Sequence, residues 1–330
     1  MRYTIALAVS TLMAGPALAE VPVVVTDIPP VHSLVAQVMG DLGTPVLLLE
    51  QGGNAHSYQM KPSQVQALAE AGLVVWIGPE MTPWLERGLE GTAGQARQLV
   101  LLHAEGTEAL AYGEAGAHDH EGHDDAEHDH EEHDHEGHDH GPEGGHDHDH
   151  EAEGHHHEGL DPHAWLDPHN AEAWLGLIAG ELSTLDPDNA ATYAANAEKA
   201  QAEIEALEAE LTATLAPVQG KPFVVFHDAY NYFTGHFGLT VAGTIALGDA
   251  ASPGAARLSE LRSGLEAGAA LCIFPEAAHD AKQVEQMAEG AAVKLGGALE
   301  PEGSTLEPGP ALYGQLMRGL AQTLADCLKG

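Results

Sequence analysis

Along this chain, short continuous apolar runs alternate with stretches whose apolar residues recur every three or four positions. The runs at 21–26, 46–50, 73–78 and 98–102 read as strands, and 31–39, 62–71 and 82–89 as helices. Pro62 stands in the first turn of its helix and Gly72 at its stop. Residues 73–77, Leu-Val-Val-Trp-Ile, contain no polar position, the pattern of a strand covered on both faces. Strands separated by helices argue for a parallel α/β sheet. The second half repeats the theme, with strands at 222–226, 239–245, 270–274 and 293–299 and helices at 259–267, 281–290 and 311–328. Between the halves, 188–215 is rich in Ala, Glu and Lys and free of Gly and Pro. Such a segment forms a helix of ~42 Å if unbroken. The expected fold is therefore α/β: two Rossmann-like lobes, 20–185 and 219–330, joined by a rigid helix within 186–218. Glu70-Ala71-Gly72 precedes Pro79-Glu80 by the same spacing as Glu266-Ala267-Gly268 precedes Pro275-Glu276, a weak sign that the lobes are related.

The start of the chain belongs to neither lobe. Arg2, a short apolar stretch and Ala17-Leu18-Ala19 make a secretory signal peptide, 1–19, with its cleavage site. No cysteine follows that site to take a lipid anchor, and no later run approaches the roughly 20 apolar residues of a spanning helix. The expected product is periplasmic, not membrane-anchored, and monomeric. Its 12 Lys+Arg against 51 Asp+Glu give a formal charge of −39, which repels phosphate backbones and anionic lipid surfaces and favours cations as partners. Nucleic-acid binding is excluded on that ground. Cys272 and Cys327 are the only cysteines, and an even count in an exported chain reads as a disulfide, with two free thiols as the alternative.

Histidine changes the picture most. Fifteen of 23 fall between His118 and His157, interleaved with Asp, Glu and Gly. A segment so poor in apolar residues, about 113–159, has no burial to offset its chain entropy and is expected to be disordered without ligand. Its imidazoles suit Zn, Cu or Ni, in several adaptable and modest sites. The remaining histidines are scattered, and four polar residues stand out. His56 follows the second strand, His163 lies where the chain re-enters the fold, His227 ends a strand, and Asp280, next to His279, follows another. Strand C-termini are where open α/β sheets present ligand-binding groups. No H-E-x-x-H occurs, so zincin proteolysis finds no support.

The stretches GNAHSYQMKPS (53–63), LVVWIGPE (73–80), DPHAWLDP (161–168), FHDAY (226–230) and PGAARLSELR (253–262), with the terminal ADCLKG (325–330), resemble the periplasmic zinc-binding proteins of high-affinity bacterial zinc ABC transporters. The likeness runs over essentially the whole mature chain, the histidine-rich insertion included. It implies two α/β lobes bridged by a long helix, Zn²⁺ held in the cleft between them, and an ABC permease as partner. It also implies His56, His163 and His227 as ligands, and a Cys272–Cys327 bridge. Some relatives carry glutamate just before the first histidine, where this chain has Ala55. Others use an aspartate four residues beyond the strand-end glutamate, as Asp280 stands beyond Glu276. The fourth ligand is thus Asp280, His279 or water, with Asp280 the expectation. Three imidazoles and an oxygen suit tetrahedral zinc, although copper would also bind them. Asp161 and Asp228 are candidates to orient the rings, or else helix caps. Such a protein is a carrier and not an enzyme. The rivals are a zinc hydrolase, for which no general-base pattern is present, and a stand-alone metal buffer, which would leave the lobes unexplained.

Overall fold

The computed structural model describes residues 21–91, 96–112, 159–246 and 253–330. The signal peptide and the histidine-rich segment, with the disorder and auxiliary metal sites expected there, lie outside these residues.

The first lobe holds β1 (Val24–Thr26), α1 (Pro29–Met39), β2 (Val46–Leu47), α2 (Pro62–Ala69), β3 (Leu73–Trp76), α3 (Pro83–Gly91) and β4 (Arg97–Val100). Its strands are all parallel, in the order β2-β1-β3-β4. Alternate residues serve opposite faces, as the pleat requires. Val24, Leu73 and Val75 join the core that holds α1. Val25, Val74 and Trp76 pack with Leu68 of α2 and Trp84, Leu85 and Leu89 of α3. Two covered faces explain the uninterrupted apolar run of β3.

Two long helices follow, α4 (Pro168–Leu185) and α5 (Ala190–Leu215). Asp167 caps α4 by accepting the His169 N–H at 2.8 Å, and Pro168 opens the first turn. Helix α4 is not predicted by the sequence pattern, because Gly176 and Gly180 interrupt it. In α5, Tyr193, Ala197, Ala200, Ile204, Leu207, Leu211 and Leu215 are buried, a stripe spaced by three and four that lies along α4, α1 and α9. At 26 residues the helix spans about 39 Å.

The second lobe contains β5 (Pro222–His227), α6 (Asn231–Phe237), β6 (Thr240–Ala246), α7 (Ala255–Glu266), β7 (Cys272–Ile273), α8 (Lys282–Ala288), β8 (Lys294–Leu295) and α9 (Leu312–Leu328). Its parallel strands run β6-β5-β7-β8, the order of the first lobe repeated. The Pro-Glu pairs at 79–80 and 275–276 therefore follow strands in equivalent places. Helix α6 was not anticipated, because seven residues are too short to show a period. Cys272 and Cys327 are joined as a disulfide, with Cα atoms 6.3 Å apart, tying β7 to the last turn of α9.

One core runs through both halves. Val31 and Leu34 of α1, Trp165, Ile178 of α4, Leu211 of α5, Phe223 of β5 and Leu320 of α9 belong to a single buried cluster. Hydrogen bonds follow the same route. Trp165 Nε1 donates to Pro301 O at 2.8 Å, Tyr313 Oη to Trp165 O at 3.0 Å, and Ser33 Oγ to Pro310 O at 3.1 Å. The chain between β8 and α9 thus braces the first lobe.

Candidate metal centre

In an α/β sheet of order 2-1-3-4 the chain reverses direction beside its first strand, and the crevice lies between that strand and the third. Here those crevices sit at the ends of β1 and β3, and of β5 and β7. At the first, Asp27 follows β1 and its buried carboxylate accepts the N–H groups of Ile28 and Ile77, at 2.8 and 2.9 Å, and the Thr82 hydroxyl at 3.3 Å. Burial outweighs these bonds and pushes its carboxyl up to about 6. At the second crevice, His227 closes β5 and its Nδ1 lies 2.7 Å from Oε2 of Glu276. Tyr230 Oη donates to the same oxygen at 3.0 Å.

The other two rings arrive on loops. His56 follows Ala55, whose carbonyl accepts Trp84 Nε1–H at 2.6 Å, while the Asn54 side chain accepts the Ser57 N–H and hydroxyl, each at 3.1 Å. The same loop is tied to the second lobe, because Gly52, at φ +74°, donates its N–H to Ser304 O at 2.8 Å. His163 is fixed by Asp161, whose Oδ1 accepts its backbone N–H at 3.0 Å and its ring Nδ1–H at 2.7 Å. Asn231 Nδ2 and Tyr232 Oη hold Asp161 in turn, at 3.0 and 2.8 Å.

His56, His163 and His227 each offer one nitrogen within 4.8 Å of the other two. Ring centroids are 5.6 Å apart for His56 and His163, and 5.3 Å for His163 and His227. With Nδ1–H of both buried rings committed to carboxylates, their Nε2 atoms are left as acceptors, and they face each other at 3.4 Å. Zinc–nitrogen bonds of about 2.0–2.1 Å at tetrahedral angles separate two donors by roughly 3.3 Å. The donor chemistry and the spacing therefore fit a zinc ion.

Asp280 does not join these rings. Its carboxylate is exposed, accepts the Lys282 N–H at 3.0 Å and faces Lys282 Nζ at 3.6 Å. The turn between Glu276 and Asp280 passes through Ala278 at φ +64°, the one non-glycine in the left-handed region among the described residues. His279 lies closer, with its ring centroid 6.5 Å from that of His227 and its Nε2 3.6 Å from Glu276 Oε1. Of the two aspartates considered as orienting groups, Asp161 fills that part. Asp228 instead accepts Asn231 Nδ2–H at 3.1 Å, and burial together with the Asp161 charge holds its carboxyl above the usual range. Glu276, which orients His227, is not picked out by the sequence, because the two stand 49 residues apart. Its one signal was the Pro-Glu pair at a strand end.

Fold and donor set together describe a two-lobed α/β protein with a cluster of three histidines where its lobes meet. A family model described as the periplasmic component A of the zinc-uptake complex matches residues 24–327, and the chain belongs to that family of periplasmic solute-binding proteins. It is 55% identical over 315 residues to the high-affinity zinc uptake system protein ZnuA of Paracoccus denitrificans, covering 96% of this chain and 94% of that one. To the Brucella abortus protein of the same name it is 41% identical, over 92% and 91%. Among solved structures, a crystal structure of ZnuA aligns with TM-score 0.70 at 25% identity, covering 93% of this chain and 99% of the other. A zinc-bound deletion mutant of ZnuA aligns with TM-score 0.68 at 26% identity, covering 93% and 98%. No helix among the described residues is long and apolar enough to cross a membrane.

Proposed function

We propose that this chain captures Zn²⁺ in the periplasm through His56, His163 and His227 and delivers it, as a single chain, to the membrane permease of a zinc ABC transporter. Residues 1–19 direct its export. The observation that carries the reading is the convergence of three imidazoles from three separate segments, two of them oriented by buried carboxylates. Three rings leave one position of a tetrahedral ion open, and we assign it to solvent, since Asp280 is engaged with Lys282. The histidines between His118 and His157 add weaker donor sets. Asp161 and Glu276 are each engaged with an imidazole N–H, so neither stands ready as a general base, and a carrier accounts for the site better than a hydrolase. Competition with a chelator tests the reading. His227→Ala removes a direct bond and should weaken the tightest zinc event by about 100-fold or more, beyond the 10–100-fold seen when orienting partners are lost. An unchanged tight event in that variant would refute the assignment.

A further inference from the structure

A second group of donors begins a few residues beyond His163. Asp167, His169 and His236 each place one ligating atom within 4.8 Å of the others. They come from elements far apart in sequence: Asp167 and His169 from the start of α4, His236 from the last turn of α6. Asp167 Oδ1 is 3.1 Å from His236 Nδ1. The two rings meet edge to face with centroids 4.7 Å apart. Glu208, from the middle of α5, completes the group, with Oε1 3.0 Å from His236 Nε2 and 3.7 Å from His169 Nε2. The side chains of Asp167 and His236 are about nine-tenths buried, whereas His169 is 56% exposed and opens the group to solvent.

We propose that Asp167, His169 and His236, with Glu208 beside them, form a second binding site for a divalent transition metal, weaker than the three-histidine centre. Two imidazoles and two carboxylates are a donor set for zinc, nickel, cobalt or copper, where hard ions such as calcium and magnesium favour oxygen alone. A formal charge of −39 draws cations to the surface from which His169 is reached. The weaker affinity follows from exposure and from competition. His236 already bridges Asp167 and Glu208, so an ion must displace contacts that the metal-free protein makes for itself. Asp167 lies four residues beyond His163, and His236 nine beyond His227. An ion here would therefore fasten together the two segments that present those rings. The proposal does not depend on how the first cluster is read.

The test uses the full-length mature chain in equilibrium dialysis against buffered zinc, up to concentrations that saturate the weak sites. Wild type, His169→Ala, His236→Ala and a control, His103→Ala, are compared. His103 is an exposed histidine paired with Glu80 and lies outside both groups. Because all four proteins share the segment at 118–157, its contribution cancels in the differences. The expected result is one zinc ion fewer per chain in His169→Ala and in His236→Ala, and wild-type stoichiometry in His103→Ala. His169 is exposed enough that its variant folds even if His236→Ala does not. Equal stoichiometry in wild type and His169→Ala would overturn the proposal. So would zinc-edge anomalous diffraction from zinc-saturated crystals showing density at the three-histidine centre and none beside His169.

Discussion

The two lobes repeat one strand order, and at the switch point of each a polar side chain ties the central strand to its neighbour. In the first lobe that side chain is Asp27. Every contact it makes, to Ile28, Ile77 and Thr82, is internal, and it serves the fold alone. In the second lobe the tie is His227 to Glu276, and an imidazole carries two ring nitrogens. One nitrogen holds β5 to the chain leaving β7, and the other faces His163. A binding group can thus arise at a switch point when the residue making the tie carries a second ligating atom. The lobes are also secured differently, since among the described residues only the second holds a disulfide.

If the second lobe relies on that bridge, removing it is the most damaging change. Closing a 55-residue separation lowers the entropy of the unfolded chain by an amount worth about 4 kcal/mol. The double variant Cys272→Ala/Cys327→Ala should lose about that much in urea unfolding of the metal-free protein. A loss under ~1 kcal/mol would mean that α9 holds the lobe without covalent help.

Asp27 sharpens the other side. Its folded pKa of about 6 lies above the ordinary aspartate value of 3.8, so the native state binds the proton more tightly than the unfolded chain. Its contribution to stability is therefore full below pH ~3.8 and lost as pH rises through ~6. Two pKa units correspond to about 3 kcal/mol. Relative to Asp27→Asn, the metal-free wild type should become less stable by up to that amount between pH 4 and 7, measured by urea unfolding at each pH. A constant difference would show that the carboxylate stays ionised across that range.

At the second switch point, Glu276→Ala should lower zinc affinity by about 10–100-fold, the range for loss of an orienting partner. Glu276→Gln keeps an acceptor for His227 Nδ1–H and should recover part of that loss; a purely structural role would show no such recovery in metal affinity. The smallest effect belongs to Asp280→Ala. With its carboxylate on Lys282, tight-site affinity should stay within about threefold of wild type, and a larger fall in a chelator titration would return Asp280 to the ligand set.

The strands were legible because a parallel strand covered on both faces needs an unbroken apolar run, as Leu73 to Trp76 provides. The convergence of His56, His163 and His227 was suggested by motif, and only His227 stands at a strand end, the other two being carried on loops. Helix α4 had its signals, Asp167-Pro168 and then Trp174, Leu175, Ile178 and Leu182, but its two glycines broke the period. Asp280 and Glu276 share one turn, and spacing alone does not tell which carboxylate faces inward; backbone reversal at Ala278 intervenes between them. The common core was invisible for a related reason. It forms only when α9, last in sequence, lies across α1 and α5.

That common core bears on how an ion would leave. Swinging the lobes apart would expose the apolar surfaces shared by α1, α4, α5 and α9, at roughly 25 cal/mol for each Å² uncovered. Departure by a wide-open state is therefore costly, and stepwise exchange of donors is the cheaper route. Trp165 and Tyr230, both buried, pack against His163 and His227, while His56 is the least buried of the three residues. The 52–58 loop is itself held, by Gly52 N–H to Ser304 O and by Trp84 Nε1–H to Ala55 O, so it too resists a wide opening.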